Sequence, residues 1–342
     1  MNDRKRWELR GPVRTCDVER TWFVPRCGSE TCEVEESGDS TRLEFRSDGG
    51  LAETRHRNPD GSEWTTVYHY RDDGRLGRVE CSNLWRRVSE YDSSGRLARV
   101  IAWTAEGSEH TAETYEYEER CKKKTVLVDT GGQTPNAWGV EGTDSFYPGH
   151  GAKCVTTVYD ERDRPVEMQF RLGDGQLISR VTLRYDESGN LVEEAQSNAD
   201  EAVPTALRDS LNAEQLETIR VFFGVSEPNR RLHRYDERGR RIESYSRMGP
   251  LSETRTTTEY NEFGDPVCQS TEEASLGEVA LTELGQIQSS GANPTQERSE
   301  ARFTYDYDVH GNWLTKTVEV RWSTEAQYRL SARERRKIEY FN

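Results

Sequence analysis

The sequence predicts an all-β protein, a long antiparallel meander of hairpins with one inserted α-helix at about 205–223. Three observations carry that prediction. An aromatic residue followed four positions later by glycine recurs along the chain, and the flanks of these motifs alternate apolar and polar residues with the period of a strand. The composition is the third. Leu, Ile, Val and Phe make up less than a fifth of 342 residues, and the net charge is -15, a combination usual in disordered chains. Yet 8 Trp, 15 Tyr and 9 Phe are too many for a solvated polymer. A thin aromatic core shared among repeating units reconciles the two facts.

Residues 1–40 read as an atypical first hairpin that caps the sheet; they hold Cys16, Cys27 and Cys32 together with Trp7, Trp22 and Phe23. The motif then begins at Phe45 with Gly49, and continues at Tyr70 with Gly74 and at Tyr91-Asp92 with Gly95. Tyr117 and Tyr159 keep the aromatic but place Cys121 and Asp163 where glycine stood. Tyr185-Asp186 with Gly189, Tyr235-Asp236 with Gly239, Tyr260 with Gly264 and Tyr307-Asp308 with Gly311 complete the series. Steps between tyrosines are 21–26 residues or 42–50, so the long ones are about two units. Asp or Asn after the aromatic bonds its own backbone and opens a type I turn, and glycine supplies the left-handed residue that closes it. Val181, Leu183 and Tyr185 share one strand face, as do Phe303, Tyr305 and Tyr307. Further turns at 58–61, 105–107 and 248–250 serve the opposite ends, giving two strands and two turns per unit.

Two segments break the pattern. Within 204–224, Leu207, Leu211, Leu216, Ile219, Phe222 and Phe223 fall at helical spacing, Asn212 to Gln215 forms a capping box, and Gly224 is the stop. Residues 271–300, rich in Glu, Ser, Gly and Gln, read as a mobile insertion.

Tyr91-Asp92-Ser93-Ser94-Gly95-Arg96-Leu97 and Tyr185-Asp186-Glu187-Ser188-Gly189-Asn190-Leu191 resemble the unit of the YD-repeat (rearrangement-hot-spot) family, and the array covers most of residues 40–342. The resemblance implies a sheet wound as a solenoid or curled shell, with carbohydrate binding, cell-surface contact or toxin encapsulation as the associated roles. Asp265-Pro266 lies inside a repeat and lacks the glycine of the family's toxin-core motif. A short stand-alone member without toxin or autoprotease is therefore expected, as one domain over 1–342.

No window approaches the roughly 20 apolar residues of a membrane span, and the first residues lack the apolar run of a Sec signal. A cytoplasmic location is expected, with non-Sec export or surface association left open. The acidic balance argues against a nucleic-acid partner. Seven scattered cysteines do not form a disulfide framework, no metal site or cofactor loop is expected, and the redox state of Cys16, Cys27 and Cys32 stays open. Glu141, Asp144 and His150, in the glycine-rich segment 138–151, are the candidates for a hydrolase or lyase site. Trp64, Trp85, Trp103, Trp138 and Trp313 are the candidates for sugar stacking. The sequence favours a non-catalytic binding or scaffold protein that contacts carbohydrate or protein through its sheet face and loops. The alternatives are that hydrolase or lyase and an accessory part of a larger secretion- or toxin-associated shell.

Overall fold

The computed structural model describes residues 3–27, 32–82, 87–103, 107–118, 123–128, 152–200, 203, 208–209, 211–222, 225–248, 252–275, 279–281, 287–289 and 295–341. Helix α1 (Asp3–Arg6) leads into β1 (Val13–Cys27), β2 (Cys32–Phe45), β3 (Leu51–Arg57), β4 (Glu63–Tyr70), β5 (Leu76–Cys81), β6 (Arg87–Tyr91) and β7 (Leu97–Trp103). There follow β8 (Glu109–Glu118), β9 (Lys123–Val128), β10 (Cys154–Tyr159), β11 (Pro165–Arg171), β12 (Leu177–Tyr185) and β13 (Leu191–Asn198). Helix α2 (Ala213–Phe222) precedes β14 (Asn229–Tyr235), β15 (Arg241–Met248), β16 (Ser252–Tyr260) and β17 (Pro266–Ser275). The chain finishes with β18 (Val279–Leu281), β19 (Ile287–Ser289), β20 (Thr295–Tyr307), β21 (Trp313–Trp322) and β22 (Arg329–Tyr340).

Among the described residues twenty of these strands belong to one antiparallel sheet, and β18 and β19 form a small hairpin of their own. Neighbours follow chain order, as a meander requires. The exception is β22, which pairs along β1 from Val13↔Tyr340 to Trp22↔Ala332. The first hairpin therefore does not cap an open edge: β2 covers one side of β1 and the last strand covers the other. Contacts gather into two compact units where the sequence reading groups the chain as one. Unit 1 holds Met1–Ala112, Glu259–Gln269 and Ser299–Asn342, and unit 2 holds Glu113–Thr258 and Ser270–Arg298. Of segment 271–300, the described part is the end of β17, the β18–β19 hairpin and the start of β20. The predicted helix begins at Ala213, where Asn212 and Gln215 exchange both bonds of the capping box: the Gln215 N–H donates to Asn212 Oδ1 (2.9 Å) and the Asn212 N–H to Gln215 Oε1 (3.1 Å).

Each repeat turn is built alike. Strand register shifts at the repeat aromatic, for instance between Arg184 and Tyr185 and between Asp306 and Tyr307. Arg184 faces Glu193 and Tyr185 faces Leu191, so Val192 is the extra residue of the bulge, and the turn itself closes on Gly189 in the left-handed conformation at φ 92°. Asp186 N–H donates to Asn190 O (2.9 Å) and Gly189 N–H to Asp186 O (3.1 Å). The aspartate carboxylate then takes donors from the far side of the turn. Asp92 Oδ1 accepts from the Ser94 and Arg96 N–H groups, and Oδ2 from Arg96 Nε. These bonds, with the Arg96 backbone N–H foremost, hold Asp92 below the ordinary carboxylate range; Asp160 and Asp236 are lowered in the same way, and Asp186 chiefly by the Asn190 side-chain amide.

The repeat tyrosine ties one unit to the one before it. Tyr70 Oη donates to Leu51 O (2.8 Å), Tyr185 Oη to Pro165 O (2.9 Å) and Tyr235 Oη to Leu191 O (2.8 Å). Each acceptor is the first residue of the strand leaving the previous turn. Tyr307 follows the rule with a side chain as acceptor, donating to Asp265 Oδ2 (2.8 Å). Tyr340, which the aromatic-to-glycine spacing does not reveal, does the same for the Tyr307 turn: its hydroxyl donates to Asp308 Oδ2 and accepts from Asn312 Nδ2. Each unit has its own apolar cluster, with Val13, Cys16, Val18, Leu43 and Phe45 in unit 1, and Val155, Phe170, Ile178, Val181 and Leu183 in unit 2.

Candidate functional site

One face of β1 leaves the core of unit 1 step by step. Cys16 and Val18 are 0 % and 1 % exposed, Arg20 is partly exposed, and Trp22 and Val24 reach 37 % and 51 %. These residues alternate by two and so share a face. On β2 the same gradient runs from Leu43 through Thr41 to Asp39. Burial pushes the Cys16 thiol up to about 11, so it packs as a small apolar group rather than a nucleophile.

Where this face meets solvent, directly opposed residues form a row of alternating charge. Register sets Tyr305 opposite Lys316, Lys316 opposite Glu334, Glu334 opposite Arg20, and Arg20 opposite Asp39. Two residues along β2, Thr41 stands opposite His56, and His56 opposite Trp64. Antiparallel partners present their side chains on the same face, so this is one continuous surface across seven strands. Lys316 Nζ donates to Glu334 Oε1 (2.9 Å), and Arg20 Nε lies 3.4 Å from Glu334 Oε2. Burial pushes the Glu334 carboxyl up, but the Lys316 ammonium and the Arg20 guanidinium outweigh it and hold the group below its ordinary value. Thr41 Oγ1 and His56 Nδ1 are 2.8 Å apart, and the imidazole stacks on the Trp64 ring with centroids 4.0 Å apart. Further along the same face lies an apolar row of Phe303, Val318, Ala332 and Trp22. Trp322, 43 % exposed, shares that face of β21.

This arrangement offers flat aromatic surface beside fixed donors and acceptors. Of the tryptophans singled out from sequence, Trp64 belongs to it. Trp313 is 5 % exposed and takes the Arg336 guanidinium 3.4 Å from its ring centroid, a packing position. Trp103 is half-buried at the end of β7. Trp85, Trp138, Glu141, Asp144 and His150 lie outside the described residues. Sequence reasoning missed Arg20, Trp22, Asp39, Lys316 and Glu334 as a group, because only the β1–β22 pairing brings residue 20 to residue 334. Among the described residues no cluster of His, Cys, Asp and Glu suits a metal ion.

Unit 2 has a second polar group, deep in its sheet. His233 Nε2 lies 3.3 Å from Glu194 Oε1 and its Nδ1 is 3.1 Å from Ser244 Oγ, on three successive strands. Both charged-type side chains are 1 % exposed. Gln196 Nε2, on the Glu194 face, donates to Ser179 Oγ (3.1 Å).

No family model and no curated protein matches the chain. Solved structures give likenesses at low similarity. A porin-like protein from Bacteroides uniformis is 12 % identical with a TM-score of 0.35, covering 96 % of this chain and 98 % of that one. A porin-like protein from Bacteroides vulgatus is 11 % identical with a TM-score of 0.21 over 97 % of this chain and 99 % of that one. A TcdB2–TccC3 structure is 12 % identical with a TM-score of 0.21; it matches 92 % of this chain, which spans 19 % of that much longer one.

Proposed function

We propose that this chain is a YD-repeat protein that binds carbohydrate without catalysis, through the charged and aromatic face of unit 1. The cross-strand row that ends on Trp64 carries the reading. A pyranose presents an apolar C–H face for an aromatic ring and a rim of hydroxyls for fixed charges, and the row supplies both side by side. Seven strands at the usual spacing extend on the order of 30 Å along the sheet, which suits an oligosaccharide better than a single sugar. The Tyr-Asp-Gly turns support the family reading because their bonding uses each residue of the repeat unit. A glycan array tests the proposal. Wild-type protein should bind, and Trp22→Ala with Trp64→Ala should lose at least about tenfold in affinity with an unchanged far-UV spectrum, one stacking contact alone being worth about 0.5–1.5 kcal/mol. A blank array beside capture of a protein partner would replace carbohydrate by protein. Undiminished glycan binding by the double variant would remove this face from the account.

A further inference from the structure

The two carboxylates of the row differ in a way that assigns them different work. Glu334 is saturated within the protein, with Lys316 on one oxygen and Arg20 against the other. Asp39 has a guanidinium and an imidazole near it, and its carboxylate makes no hydrogen bond to a described residue. Its Oδ1, buried, stands 3.6 Å from Arg20 Nη1, and its Oδ2 stands 3.9 Å from His56 Nε2. Both distances exceed those of a hydrogen bond. A partly buried carboxylate without donors is costly to leave so, and the side chain keeps 14 % of its surface open. His56 cannot swing freely to close the gap, because Thr41 holds one ring nitrogen and Trp64 covers a ring face.

We infer that Asp39 is the specificity-determining acceptor of this face, taking through Oδ2 a hydroxyl of a neutral glycan bound along the row. The inference rests on the carbohydrate reading above and narrows it. Oδ1 is enclosed, so a ligand hydroxyl reaches the carboxylate at Oδ2. Neutral ligands are selected because the row has no spare cation: Lys316 and Arg20 each face a carboxylate, so an acidic sugar would meet Asp39 with no positive charge left over.

The test uses the full chain on an array of neutral, sialylated and sulfated glycans, followed by titration of the strongest hit and its monodeoxy derivatives. Neutral glycans should dominate the array. For wild type, removing the hydroxyl that Asp39 Oδ2 accepts should weaken binding about tenfold or more. Asp39→Ala should weaken the parent glycan to the same degree and then show no further loss with the deoxy derivative. Asp39→Asn, which leaves Arg20 without its second carboxylate, should shift the array toward acidic glycans. Equal, additive losses in Asp39→Ala for the parent and every deoxy derivative would overturn the assignment while leaving the face as the binding site. Wild-type preference for sialylated or sulfated glycans would overturn it as well. Binding that survives the Trp22→Ala and Trp64→Ala changes would instead remove the underlying reading.

Discussion

Unit 1 and unit 2 both place charged residues on a sheet face, and they do so under opposite conditions. The Lys316–Glu334–Arg20–Asp39 row lies where the face opens to solvent, and its members keep partial exposure. The Glu194–His233–Ser244 group is closed off, with the imidazole and the carboxylate 1 % exposed. Water screens the first and can substitute for a lost partner; it reaches the second hardly at all. One group is therefore available to a ligand, and the other is committed to holding β13, β14 and β15 in place.

The sharpest way to break this comparison is to remove one partner from each group. His233→Ala takes from Glu194 its one hydrogen-bond partner among the described residues, and should cost about 3 kcal/mol. Lys316→Ala leaves Glu334 beside Arg20 and within reach of water, and should cost about 1 kcal/mol or less. Urea unfolding of both variants measures the contrast. Equal costs would mean that burial does not separate the two groups, and the assignment of one to binding and the other to structure would fall.

A middle-sized effect separates tyrosines that tie repeats together from those that only pack. Tyr185→Phe removes the bond to Pro165 O and should cost about 1 kcal/mol. Tyr91 has no hydroxyl partner among the described residues, so Tyr91→Phe should be close to neutral. The protein already contains one such replacement. Phe45 fills the aromatic position of the Gly49 turn without a hydroxyl, and it is 3 % exposed in the core. If both phenylalanine variants behave alike in urea unfolding, the hydroxyl ladder is incidental to the fold.

The repeat turns were legible because every interaction that makes them falls within five residues: aspartate bonds its own turn, and glycine takes the left-handed position. The capping box of α2 was legible for the same reason. The candidate site was not. Trp64 and Trp313 look alike as strand tryptophans, but Trp64 stands in direct register with His56, whereas the shift between Asp306 and Tyr307 sets Trp313 at a bulge, where it packs inward. Local alternation cannot report such a shift in register. Arg20 and Glu334 meet only because the last strand pairs with the first, a contact that no repeat period encodes.

The smallest effect lies within the turns themselves, at the position where the sequence departs from its own pattern. Asp163 adopts φ 59° in the place that Gly189 fills at φ 92° one repeat later, and both turns make the same two backbone bonds. A side chain in the left-handed region costs roughly 1–2 kcal/mol, less for aspartate, while glycine costs about 0.4–1 kcal/mol through the freedom it gives the unfolded chain. Asp163→Gly should therefore stabilise the protein by only about 0.5 kcal/mol. Gly189→Ala should destabilise it by about 1 kcal/mol. An added Cβ there would meet Arg164 Nη1 no closer than 3.6 Å, so the cost is conformational rather than steric. Paired urea midpoints decide the matter: a loss of stability in Asp163→Gly would show that contacts of the Asp163 carboxylate outweigh the backbone, and that the departure from glycine is itself part of how this turn is held.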